Sequence, residues 1–123
     1  MTGPRLSAGV ITADLTRLGA EVGQLRGRAA WAHVDVMDGV FCPQLTVGPA
    51  FVAAVASTGM PVDAHLMVEE PRRLLPEIAS WGIDVIVSGS AIFDRVKGFD
   101  PARNLDLLSR QLRTPEEVPD GQR

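Results

Sequence analysis

Residues 31 to 39 read WAHVDVMDG, and the alternation inside them decides the fold. On a β-strand, successive side chains point to opposite faces, so Ala32, Val34 and Val36 share one side while Trp31, His33, Asp35 and Met37 share the other. One face is apolar. The other sets an imidazole beside a carboxylate where a core would want leucine, and it therefore calls for a chemical use.

The pattern recurs thirty residues on. Residues 60 to 67, MPVDAHLM, put Asp63, His65 and Met67 on one face and Val62, Ala64 and Leu66 on the other. Two further apolar runs, AGVIT (8 to 12) and IDVIVS (83 to 88), read as strands, the latter apolar enough to be covered on both faces. Helical spacing fills the intervals. Leu15, Leu18, Val22 and Leu25 follow Asp14 as N-cap, and AFVAAVAS (50 to 57) fits a short packed helix. EEPRRLLPEIASWG (69 to 82) opens with acidic residues, closes near Gly82 and carries Pro76, which should kink the helix or shift its start. Asp100 and Pro101 cap a last helix with Leu105, Leu108 and Leu112 in register. Strands alternating with helices predict an α/β fold with a parallel sheet.

The composition sets bounds on function. The chain has 123 residues, 46% of them apolar and 22% charged, which suits one modest core. A net charge of -3 without a basic cluster favours neither nucleic acid nor an anionic membrane surface as partner. No apolar run approaches the roughly 18 residues that would span a bilayer. The single cysteine, Cys42, forms no internal disulfide and fits a reducing compartment, so a cytoplasmic location is expected.

Imidazole and carboxylate donors suit zinc, iron, manganese or cobalt, and neighbouring parallel strands can bring His33, Asp35 and His65 together. The alternative is two core histidines held by ordinary hydrogen bonds. Met37 and Met67 read equally as core filling or as the wall of a site. Gly89, Ser90 and Ala91 follow the last strand and by themselves read only as a turn. Arg95 and Lys97 nearby read as surface charge.

HVDVMDGVFCPQLTVGP and VDAHLMVEEP resemble the two N-terminal signatures of the ribulose-phosphate 3-epimerase family, and VIVSGSAIF resembles its last barrel strand with the phosphate turn. The related hexulose-phosphate epimerases share these strings. The resemblance implies a TIM barrel and an isomerase that interconverts D-ribulose 5-phosphate and D-xylulose 5-phosphate. The proton beside the C2 carbonyl is removed from C3, and one is returned on the opposite face. It implies a divalent metal on His33, Asp35 and His65, Asp35 as one proton carrier, Met37 and Met67 lining the site, and Gly89, Ser90 and Ala91 at the substrate phosphate.

A TIM barrel takes eight strands, and four are read here. The resemblance implies that the fourth is barrel strand eight, which would adjoin the first. A strand-seven aspartate, both metal ligand and second proton carrier in the family, has no counterpart, and Asp63, Asp84 and Asp94 stand in other contexts. Gly9 and Thr12 occupy positions where the family shows serines. The expected organisation is a shortened (β/α) barrel domain over residues 1 to 113 and a frayed tail over 114 to 123. Its substrate is a small sugar phosphate, and a second copy could complete the barrel. The competing readings are an impaired remnant that only binds metal or sugar phosphate, and an unrelated small α/β binding module.

Overall fold

A computed structural model describes residues 3 to 93 and 100 to 112. Four strands, β1 (Ser7–Gly9), β2 (Trp31–Met37), β3 (Val62–Met67) and β4 (Val85–Val87), form one sheet in the order β1-β2-β3-β4, with every pair parallel. Between and after them run α1 (Leu18–Gly23), α2 (Pro49–Ala56), α3 (Pro71–Ile78) and α4 (Pro101–Leu112). This is the α/β alternation read from the sequence, and its strands are four of a barrel's eight. The tail expected over 114 to 123 lies outside the described residues, as do Asp94, Arg95 and Lys97.

The strand faces divide as the alternation requires. Ala32, Val34, Val62 and Ala64 are completely buried, and the first three join Val22, Val52, Val55, Leu75 and Ile78 from the helices in one core. Helices therefore cover one face of the sheet. The other face is half-exposed and carries the polar ladder. His33 and Asp35 thus do not displace core leucines, because the core lies behind them.

The order of strands corrects one expectation. β4 hydrogen-bonds to β3, through Asp63 opposite Val85 and His65 opposite Val87, and not to β1. The connection explains why. α3 runs through Pro76, tightens to a 3-10 turn at Ala79–Trp81 and stops at Gly82 in the left-handed region. Asp84 then clamps the next strand directly beside β3, its N–H donating to the Val62 carbonyl and its carboxylate accepting from the Val62 N–H. So short a link cannot carry the chain past three strands to the far edge. β4 is also an edge strand: Val85 and Val87 are each 39% exposed, so it is not covered on both faces as its composition suggested.

Three other elements differ in detail. β1 starts one residue earlier and ends sooner than the apolar run AGVIT, since only three of its residues find partners on β2. Asp14 does cap, accepting from the Thr16 N–H, but the first turn is 3-10 before α1 begins at Leu18. In α4, Leu108 is buried while Leu105 is exposed and Asn104 is fully buried in its place. Asn104 is satisfied there, donating to the Ile92 carbonyl and accepting from Arg72.

Candidate metal centre

The β2–β3 register builds the site in rows. His33 lies opposite Asp63, Asp35 opposite His65, and Met37 opposite Met67, all on the face away from the helices. Strands in register stand about 4.8 Å apart, so side chains in one row and the next are within reach of a common atom. The ligand atoms of His33, Asp35 and His65 all lie within 4.8 Å of one another. Asp35 Oδ1 is 2.9 Å from His33 Nε2 and 3.6 Å from His65 Nδ1. Two imidazoles and one carboxylate, half-exposed and converging, form a donor set that suits a borderline divalent ion. The three predicted ligand residues are therefore brought together.

Asp63, to which the sequence alone assigns no role, is the buried member of the ladder, 7% exposed. Its Oδ1 pairs with His33 Nδ1, and its Oδ2 accepts from the Ser7 hydroxyl at 2.6 Å. Burial alone would lower the His33 pKa. Hydrogen bonds to Asp63 and Asp35, and the charges of both, outweigh it and hold the imidazole above its ordinary value. The signal in the sequence was the face that Asp63 shares with His65.

Loops on the C-terminal side of the strands are tied to the site. Thr46 accepts from the Met37 N–H and donates to the Asp35 carbonyl at 2.6 Å, folding the segment after β2 back onto the strand end. Asp38 accepts from the N–H groups of Val40 and Phe41 within its own loop and of Glu69 in the loop after β3. These bonds hold its carboxyl below the ordinary value.

Met37 and Met67 are half-buried register partners beyond the Asp35–His65 row. Gly89, Ser90 and Ala91 follow β4 in a turn closed by the Ile92 and Phe93 N–H groups on the Gly89 carbonyl, and no helix starts there among the described residues. Ser90 and Ala91 line an open groove of about 660 Å³ with Arg72, Arg73, Phe41 and Phe93; none of the three converging ligands lines it.

A parallel α/β sheet with an acid and two imidazoles converging on its half-exposed face defines the class of the protein: an α/β chain with a candidate metal site. Its family follows from comparison. Residues 5–91 match the model of the ribulose-phosphate 3 epimerase family, so the chain belongs to this family of TIM-barrel isomerases. The ribulose-phosphate 3-epimerase of Bacillus subtilis is 42% identical over 84 residues, 67% of this chain and 39% of that protein. That of Mycobacterium tuberculosis is 43% identical over 81 residues, 65% of this chain and 35% of that protein. The chloroplastic ribulose-5-phosphate-3-epimerase of Arabidopsis thaliana is 39% identical over 84 residues, 66% of this chain and 30% of that protein. The chain thus spans less than two fifths of the length of these relatives.

Proposed function

We propose that the chain is a ribulose-phosphate 3-epimerase that binds a divalent metal through His33, Asp35 and His65 and uses Asp35 to move the C3 proton of a ketopentose phosphate. The observation that carries this reading is the convergence of three ligand atoms within 4.8 Å on two adjacent strands. A zinc, iron, manganese or cobalt ion held there supplies a Lewis acid for the negative charge that develops on the substrate oxygens when C3 is deprotonated.

The chain's own residues divide the remaining work. Asp35, half-exposed at the centre of the ladder, accepts the proton from the carbon beside the carbonyl and can return it. Met37 and Met67 form an apolar, polarisable wall on the C-terminal side of that row and keep water from the reacting carbon. Gly89, Ser90 and Ala91 hold the phosphate; the support for this is the groove where Ser90 and Ala91 stand beside two arginines. D-ribulose 5-phosphate and D-xylulose 5-phosphate are the expected pair, on the strength of the relatives' names.

A second reading is favoured by one observation: His33, Asp35 and His65 are the only such ligand group among the described residues. Inversion needs a proton carrier on each side of C3, and Asp35 serves one side. A chain without the other would bind metal and sugar phosphate yet invert nothing. One experiment separates the two. Purified chain with added metal is incubated with ribulose 5-phosphate in deuterated water. Exchange at C3 together with xylulose 5-phosphate supports the epimerase, exchange alone supports a single working base, and neither supports the binding remnant.

The sheet ends on both sides in a parallel strand, β1 or β4. In this reading a second copy supplies the missing half, β4 of each chain beside β1 of the other, with all strands parallel. Native mass spectrometry is expected to show a dimer, and a monomer at every concentration would remove this part.

A further inference from the structure

We propose that Asp63, held by Ser7, is the positioning carboxylate of the metal centre: it fixes the hydrogen of His33 on Nδ1 and so leaves Nε2 bare for a cation shared with Asp35. The inference rests on the metal-binding reading above and extends it to residues that do not touch the ion.

Three observations carry it. Asp63 is buried, and a buried carboxylate is tolerated only when its oxygens are satisfied. Both are: Oδ2 accepts from Ser7, which reaches across β2 from β1, and Oδ1 faces His33 Nδ1. An ionised carboxylate offers acceptors only, so the contact with Nδ1 requires the hydrogen to sit on that nitrogen. Nε2 then presents a lone pair to Asp35 Oδ1, 2.9 Å away, also an acceptor. In the neutral ring those two lone pairs repel; a proton bridges them in the imidazolium, and a cation that takes the proton's place finds a third donor in His65, which converges on the same oxygen. A ring nitrogen held by a carboxylate while the other meets the metal is a general device for orienting the imidazole and raising its basicity, and its loss typically weakens metal binding about 10–100-fold. Ser7 adds a constraint from a third strand. Its hydroxyl stops Asp63 from rotating away from His33.

The test reads the imidazole itself. Long-range ¹H–¹⁵N correlation on the labelled, metal-free chain at alkaline pH distinguishes the two neutral tautomers of His33, and zinc affinity is measured by competition with a chromophoric chelator. The wild type should show hydrogen on Nδ1. Asp63→Asn, whose amide can donate, should move it to Nε2 and weaken zinc about 10–100-fold; Ser7→Ala should keep the tautomer and weaken zinc several-fold. A purely structural Asp63 would change stability and leave tautomer and affinity alone, and that result overturns the proposal. So does a wild type with hydrogen on Nε2, a measurement that stands even where Asp63→Asn does not fold. A wild type with hydrogen on Nδ1 that binds no zinc refutes the metal reading while the positioning of the ring survives.

Discussion

Asp38 shows how one exposed side chain can organise two loops. Its Oδ1 holds the Val40 and Phe41 amides and its Oδ2 the Glu69 amide, which joins the segments after β2 and β3. The bonds favour the ionised form, so the carboxyl titrates below its ordinary value of 3.8. The stabilisation is therefore complete above that value and disappears as pH falls through the lower folded value. The protection factor of the Glu69 amide, measured by NMR hydrogen exchange against the intrinsic rate at each pH, should fall in Asp38→Ala at neutral pH, and acid should reproduce that fall in the wild type; equal protection in both proteins would refute the clamp. A second residue-scale expectation concerns Gly9. A Cβ there meets nothing within 4 Å and its backbone is not left-handed. Gly9→Ser should leave the thermal midpoint unchanged or slightly raised, because the strand loses a glycine and gains no clash. At this scale alternation puts His33 with Asp35 on one face of β2 and His65 on one face of β3, and their joint use as ligands comes from the family resemblance. The Ser7–Asp63–His33 chain could not be read, because it depends on the lateral register of three strands, which no single strand's pattern encodes.

At the scale of elements, the link from α3 to β4 governs where the last strand lands. Gly82 adopts φ 83°, and a Cβ on it would come 2.9 Å from the Ala56 Cβ of α2. Gly82→Ala should cost about 1–3 kcal/mol from backbone strain, with the contact adding to it, measured by urea unfolding. Ile78, fully buried at the end of α3, should cost about 2–5 kcal/mol as Ile78→Ala by the same measurement. β2 and β3 were clear in the sequence since their two faces differ in chemistry. β4 was clear as a strand but not in its place, because Val85, Ile86 and Val87 look alike whether covered or at an edge. Leu105 fitted the helical stripe of α4, yet the buried position went to Asn104, whose amide finds partners on Arg72 and Ile92. A polar residue with two good bonds outcompeted an apolar one with no cavity to fill.

For the molecule as a whole, the alternation of strands and helices gave the α/β class, and the position of β4 beside β3 makes the sheet a continuous run of barrel wall. The face that carries the ladder also carries Val85 and Val87, exposed in the open sheet. Closing four more parallel strands onto these edges would bury both valines, so burial of β4 amides on raising protein concentration, seen as slower exchange, is the expected mark of closure. His33, Asp35 and His65 all come from a single uninterrupted β2-α2-β3 crossover between neighbouring parallel strands. The polar ladder is in that sense a portable cassette: recombination outside residues 31 to 67 would carry His33, Asp35, Asp63 and His65 over together, and only the Ser7 contact from β1 would have to be rebuilt.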